Sequence, residues 1–322
     1  MFDITHVCDR EIKMVVESDP LVTAVITTYR RTVEIVRRAL TSIINQTYSN
    51  IEIIIVNDYP NDKKLAEDLD NLKMEFTVLY PIQYVVVKSN GGACKARNLA
   101  LSRAKGEFIA FLDDDDEWMP DKITKQVKAI RENSNVALVY CNSQIHYVET
   151  GEDKLRFIRK QPEGHIFSYL MAENLIGSCS FPLFRVDELK KVNGFNEIMP
   201  ALQDWELYFR LLKNSQVAYV DEPLARYYFY KGERISAHPE KRTDAFEIIH
   251  KEIESDLEKR CNKKGAASFY LMGTYFYSVS HNMKTAFLYY FRGVKLDPTR
   301  VRRNIKDLIR LIGRPFVGNR YV

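Results

Sequence analysis

Cysteine is scarce in this chain: five thiols in 322 residues (Cys8, Cys94, Cys141, Cys179, Cys261), odd in number, with no CxxC pair. That pattern excludes a disulfide framework and a zinc ribbon and points to a reducing compartment, the cytoplasm. Glycine (13) and proline (11) are too few for a collagen-like or low-complexity chain. No apolar run approaches the roughly 18 residues of a membrane-spanning helix. The first 14 residues carry charges throughout, unlike a signal peptide.

What is present is an ordinary soluble composition, 46% hydrophobic and 28% charged, enough for one large domain plus an appendage. The net charge of +4 is unevenly spread. From Lys295 onward eight basic residues face only Asp297 and Asp307, a local +6 that leaves −2 for the rest. A slightly acidic body with a basic tail does not fit a nucleic-acid binder, whose working face would be basic. Within the tail Val301, Ile305, Leu308, Ile309 and Ile312 share one helical face, with Arg302, Arg303, Lys306 and Arg310 off it. Such a helix can lie on an anionic membrane or dock its apolar face on the protein.

Apolar, β-branched runs at Leu21–Thr27, Ile51–Val56, Gln83–Val87, Glu107–Leu112 and Val136–Cys141 predict strands. The first four are nearly continuous, the pattern of strands buried on both faces. Helical periods at Thr32–Gln46, Cys94–Ala104 and Lys122–Arg131 lie between or after them. The fold class is therefore α/β with a mostly parallel sheet. Beyond Cys141 come a charged connection (Glu149–Glu163), short apolar segments and a helix at Asp204–Leu212; from Asp244 everything reads as helix. The expected divisions are an extension at 1–20, a main domain at 21–240 (halves 21–118 and 119–240) and a helical module at 241–322. Within the last, Ala286, Tyr290, Gly293 and Pro298 imitate half of one tetratricopeptide repeat. One copy cannot bury a core by itself, so a helical cap is the expectation.

Each parallel strand is followed by a polar or glycine-rich cluster: Thr27-Thr28-Tyr29-Arg30, Asn57-Asp58, Lys88–Gly92 and Asp113–Asp116. Ligands of open α/β sheets bind at the carboxyl ends of the strands, so the four clusters converge on one crevice. Four adjacent carboxylates after a buried strand repel one another unless a cation neutralises them. Mn²⁺ or Mg²⁺ takes one or two carboxylates plus phosphate oxygens. Strand alternation would put Asp113 and Asp115 on one side, as a shared metal requires. Asn90-Gly91-Gly92 before a helix allows close approach to a phosphate, but it is neither GxGxxG nor a P-loop. Asp58 can cap a helix or accept hydrogen bonds from a nucleotide. Trp118 and Trp205 can stack on an acceptor sugar or pack in the core. Lys231, Arg234 and His238 can form a lid or an ordinary surface loop. Cys94 and Cys179, with no adjacent histidine, read as packing residues.

Val25–Arg31 (VITTYRR), Ile54–Asp58 (IIVND), Asn90–Asn98 (NGGACKARN), Gly106–Trp118 (GEFIAFLDDDDEW), Gly194–Glu197 (GFNE) and Gln203–Arg210 (QDWELYFR) resemble family 2 glycosyltransferases of GT-A fold. The resemblance runs in order from about Leu21 to Tyr230. It implies a UDP or other nucleoside diphosphate sugar as donor, a glycan or lipid-linked saccharide as acceptor, and work on surface polysaccharide. It places Thr27, Tyr29, Asp58, Gly92, Arg97, Asp113 and Asp114 around the nucleotide. It makes Asp113–Asp115 the DxD motif, Asp115 the direct metal ligand and Asp204 the base. Gln203 stands where the family usually has an acid.

One metal on the leaving diphosphate and one carboxylate base imply a single displacement with inversion. A retaining hydrolase would need a second carboxylate and no diphosphate cradle. Two other readings stay open. One is a non-catalytic nucleotide-sugar-binding protein of the same fold. The other is a sugar nucleotidylyltransferase, which should carry a glycine-rich basic loop after its first strand.

Overall fold

The computed structural model describes residues 19–231, 238–259 and 262–300. The extension at 1–18, Arg234 and the amphipathic segment from Val301 onward lie outside the described residues.

The first half is a run of β-α units. Strands β1 (Val22–Thr28), β2 (Ile51–Asn57), β3 (Ile82–Val86) and β4 (Phe108–Asp113) alternate with helices α1 (Val33–Ile44), α2 (Lys63–Phe76) and α3 (Gly92–Arg103). All their pairings are parallel, in the order β3-β2-β1-β4. Register keeps the strand ends level: Thr27 lies opposite both Val56 and Asp113, and Thr28 opposite Asn57. Three of the four polar clusters are thereby brought to one edge.

Both faces of these strands are buried, which explains their unbroken apolar runs. Val22, Ala24 and Ile26 pack with α1 and α2, through Val36, Leu40, Ile43, Leu69 and Leu72. Val25, Ile109 and Phe111 face the opposite way, onto α3 and the later helices. Each fully buried aliphatic side chain contributes roughly 1.5–3 kcal/mol.

The second half extends the sheet to nine strands. After β5 (Glu117–Trp118) and α4 (Lys122–Arg131) come β6 (Val136–Tyr147), β7 (Glu152–Leu155), α5 (Phe167–Leu170), β8 (Leu183–Arg185), α6 (Val186–Lys191), α7 (Gln203–Leu212) and β9 (Gln216–Phe229). The order continues β4-β8-β6-β9-β5, with β7 paired to β6 and with β8 antiparallel to both its neighbours. The charged connection expected after Cys141 is partly strand: β6 runs on to Tyr147 and β7, exposed at every residue, pairs with it.

Helices α8 (Pro239–Lys259), α9 (Lys263–Val279) and α10 (Met283–Leu296) follow. Their Phe246, Ile249, Ile253 and Phe269 share one buried cluster with Trp205 and Phe209 of α7. The repeat-like residues Ala286, Tyr290 and Gly293 are all buried on α10, which packs on α9. The two helices approach so closely that a Cβ at Gly273 would collide with the Tyr289 ring.

Candidate active site

Asp58 anchors the cradle at the strand ends. Its buried carboxylate accepts the amides of Gly91 (3.0 Å) and Gly92 (2.7 Å) and the Asn90 side-chain amide (3.0 Å). The Asp58 amide in turn donates to Thr28, tying β1, β2 and the glycine turn together. Gly92 opens α3 at φ +81°, a backbone conformation that side chains resist, so glycine is required there. Next to this cradle Tyr29, 44% exposed, meets Tyr59 edge-on at 5.4 Å, with the Arg30 guanidinium against both rings. Thr27, next to last in β1, lies beside Asp113.

The acid run is a turn. The chain leaves extended conformation after Asp113, and the Asp116 amide closes back on the Asp113 carbonyl at 3.0 Å. The alternation that would have aligned Asp113 with Asp115 therefore does not continue through the run. Instead the four carboxylates are held by separate groups, with Arg31 shared by two of them. Asp113 takes Arg97 Nη2 at 2.6 Å and the Ser178 hydroxyl at 3.0 Å. Asp114 and Asp115 take Arg31, at 3.1 and 2.5 Å, and the Asp115 carbonyl takes Arg38. Asp116 is fully buried and accepts the Ser180 hydroxyl at 2.6 Å.

Burial, and then mutual repulsion, raises Asp114, Asp115 and Asp116. Asp114 is pushed up to about 6 by burial and by Asp115, against the pull of Arg31. Burial and Asp113 raise Asp115, and burial raises Asp116 well above the usual carboxylate range. A hard cation at this turn would relieve the repulsion that Asp115 exerts on Asp114 and Asp113 on Asp115. Among the described residues no three His, Cys, Asp or Glu side chains come together as a metal cage. The donor set still fits Mg²⁺ or Mn²⁺, which take one or two carboxylates and complete their shell with phosphate and water oxygens.

Asp204 stands in the first turn of α7, entered through Leu202 in the left-handed region at φ 54°. Its Oδ1 accepts the Trp205 amide (2.7 Å) and its Oδ2 the Asn174 side-chain amide (3.1 Å). Burial raises its pKa, opposed by the Trp205 amide and by the charge of Arg97, while the charge of Asp113 raises it further. Arg97, itself 8% exposed, thus lies in the electrostatic field of both Asp113 and Asp204.

The segment 174–180 was not marked out by the sequence. It supplies Asn174 to Asp204, Ser178 to Asp113 and Ser180 to Asp116. Gly177 sits in it at φ +86°, where a Cβ would strike Arg156. Isolated serines and an asparagine without period carry no local signal, and only the tertiary fold shows what they touch. Arg31 was likewise visible only as part of a motif.

The two tryptophans correct an expectation. Trp118 (3% exposed) and Trp205 (2%) are core residues whose indole N–H groups are satisfied by the carbonyls of Ser180 and Leu170. Neither offers a ring face to an acceptor sugar. Cys94 and Cys179 are buried, and burial raises both thiols, Cys94 to about 11, as packing residues require. Of the expected lid, Lys231 donates its amide to Glu149, and the His238 carbonyl accepts from Arg242 at the start of α8.

The family model for glycosyl transferase family 2 matches residues 23–192. The chain belongs to that family. An uncharacterized glycosyltransferase of Haemophilus influenzae is 25% identical over 294 residues, 90% of this chain and 93% of its own length. Escherichia coli WcaA, named for colanic acid biosynthesis, is 29% identical over 77% of this chain and 86% of its own. A Rickettsia felis glycosyltransferase is 28% identical over 250 residues, but the match spans only 40% of that longer protein. Among solved structures, Staphylococcus aureus TarS 1–349 in complex with UDP-GlcNAc superposes with a TM-score of 0.63 at 19% identity, covering 88% of this chain and 83% of that one. A Pyrobaculum calidifontis mannosyltransferase with GDP-Man and Mn²⁺ gives 0.58 at 16%, covering 91% and 81%. These likenesses establish the GT-A fold. No helix among the described residues is long and apolar enough to cross a membrane.

Proposed function

We propose that the protein is an inverting, metal-assisted glycosyltransferase that moves a sugar from a nucleoside diphosphate donor, UDP-linked, to a glycan or lipid-linked acceptor in surface polysaccharide synthesis. The observation that carries this is the placement of Arg97 within the fields of both the acid turn, at Asp113, and a second, recessed carboxylate, Asp204. An acid turn able to hold a metal on the leaving diphosphate, and a separate carboxylate able to take the proton of the incoming hydroxyl, are what the transfer needs.

The Asp58 carboxylate takes the Gly91 and Gly92 amides and so fixes the backbone at the start of α3, beside which the donor's phosphates would lie. Tyr29 and Tyr59 offer aromatic surface for the base, and Asp113 and Asp114 face the nucleotide. Asp115 and Asp113 would hold a divalent cation, whose chemistry is to stabilise charge on the departing diphosphate. Asp204 accepts the proton of the acceptor hydroxyl at its carboxylate; its raised proton affinity suits a base. A single nucleophilic attack opposite the leaving group inverts the anomeric carbon.

Contact with an anionic membrane through the basic C-terminal segment belongs to the same reading, since a lipid-linked acceptor would be met at a membrane. The exposed face of α10 supports it: Lys284, Leu288, Phe291, Arg292 and Lys295 lie on one side, with Leu288 51% and Phe291 62% exposed.

The test is a panel of UDP-, GDP- and dTDP-sugars, with nucleotide release measured with and without Mn²⁺. Release from one or a few UDP-sugars supports the reading. No turnover or binding of any nucleotide sugar would remove it.

A further inference from the structure

We propose that the segment Asn174–Ser180, anchored by Arg156, is a positioning element that registers Asp204 against the acid turn, with the Asn174 amide as its contact on the base. The inference rests on the reading of Asp204 as base given above.

The geometry is that of one strap touching both halves of the site. Asn174 Nδ2 donates to Asp204 Oδ2 at 3.1 Å, while Ser178 Oγ donates to Asp113 Oδ2 at 3.0 Å. Ser180 Oγ donates to Asp116 and receives the Asp113 amide. The strap is itself held from behind. Arg156 Nη1 donates to the Ile176 carbonyl (2.8 Å) and Nη2 to the Asn174 carbonyl (2.9 Å). Its guanidinium packs over the rings of Phe157 (4.5 Å) and Phe181 (5.3 Å). Asn174 Oδ1 accepts the Gly177 amide at 2.9 Å, closing the turn that Gly177 allows. A lysine could not span two carbonyls with a planar fork.

Asp204 is faced by Arg97 and Cys94 on α3, Asp113 on β4, Arg156, Cys179, Tyr208 on its own helix and Arg242 on α8. The thiols and the phenol are held neutral by burial. Beside the Trp205 backbone amide on Oδ1, the Asn174 side-chain amide is a neutral donor on Oδ2: it stabilises the Asp204 carboxylate and lowers the pH at which the base becomes available.

The test compares Asn174→Ala with Asn174→Asp in the full-length protein, following UDP release from the sugar nucleotide selected by the panel between pH 5 and 9. Both variants lose the donor, but the aspartate keeps an acceptor for the Gly177 amide. If the donor acts on Asp204, the acidic limb of kcat moves to higher pH in both, by roughly half to one unit for alanine and further for aspartate. The donor KM stays within about twofold of the parent. Arg156→Lys should move the limb in the same direction. The aspartate also adds a like charge beside Asp204, so the alanine variant decides: a purely structural Asn174 predicts an alanine variant that is less stable but whose limb stays fixed, and that result overturns the proposal. Asp204→Asn separates the two readings. If it is inactive and the limb still does not move in the Asn174 variants, the positioning role alone fails. If it retains the parent rate, Asp204 is not the base and both fall.

Discussion

The Arg31 guanidinium closes on Asp115 at 2.5 Å, and its Nε reaches Asp114 at 3.1 Å, so one arginine supplies countercharge to two of the four acids of the turn. A divalent cation on Asp115 must share or displace that contact. UDP is therefore expected to bind more tightly with Mn²⁺ than with EDTA, by roughly tenfold, about 1.4 kcal/mol. Asp115→Ala should erase the difference and leave the far-UV circular dichroism unchanged. Equal UDP affinity with metal and with chelator, by calorimetry on the parent, would exclude a metal at this turn.

Asp204→Asn keeps shape and the Trp205 amide contact while removing the proton acceptor. It should lower kcat by about 10² to 10⁴ with donor affinity nearly unchanged. A fall in donor affinity without loss of kcat would place Asp204 in the binding shell instead.

The parallel half of the sheet was legible because strands buried on both faces cannot hide their composition, as Ile51–Val56 and Phe108–Leu112 show. β9 was not. Asp221, Glu222 and Pro223 interrupt its apolar run where its pairing with β6 shifts register, so no period of two survives. The exposed β7 carries no apolar signal at all. Within the site, residues adjacent to strand ends were legible from topology. Asn174, Ser178, Ser180 and Arg156 were not, because their role is set by contacts across 18 to 67 positions of chain. The tryptophans misled for a related reason: a large amphipathic ring beside a site residue reads the same whether it faces in or out.

Trp205 tests that distinction. Its indole is buried and donates to the Leu170 carbonyl at 3.0 Å. Trp205→Phe should lower stability by about 1–3 kcal/mol, from the smaller ring and the unpaired carbonyl, and leave the acceptor KM unchanged. Denaturant unfolding and transfer kinetics on the same preparation check both halves. A raised acceptor KM at unaltered stability would return the ring to the binding surface.

Lys122 carries a cation into the core. Wholly buried, it donates Nζ to Gln126 at 2.6 Å and lies 4.4 Å from the centre of the Trp118 ring. Burial lowers its pKa to about 8. A base lowered in the folded state contributes stability at high pH that is lost as pH falls through about 8. At pH 7 the buried charge therefore costs roughly 3 kcal/mol before its contacts are counted. Lys122→Met should be more stable than the parent by about 1 kcal/mol at pH 7, with the gap closing towards pH 10. A variant less stable at pH 7, by an amount unchanged at pH 10, would show that the contacts outweigh the burial.

The basic end of the chain makes the last prediction. Eight cations from Lys295 onward, against two acids, follow directly on an α10 face that exposes Leu288 and Phe291 beside Lys284, Arg292 and Lys295. Each cation near an anionic leaflet contributes about 1 kcal/mol, and that attraction is screened within a Debye length of about 8 Å at physiological salt. The full-length protein should therefore co-sediment with vesicles containing phosphatidylglycerol at low salt and release at high salt. Neutral phosphatidylcholine vesicles should not bind it. Deletion of 299–322 should weaken binding strongly, and Phe291→Glu added to the deletion should abolish what remains. Turnover of the soluble donor should be unchanged in both. A full-length protein that ignores anionic vesicles at low salt would assign the apolar face of the tail to the protein itself, with its cations left to solvent.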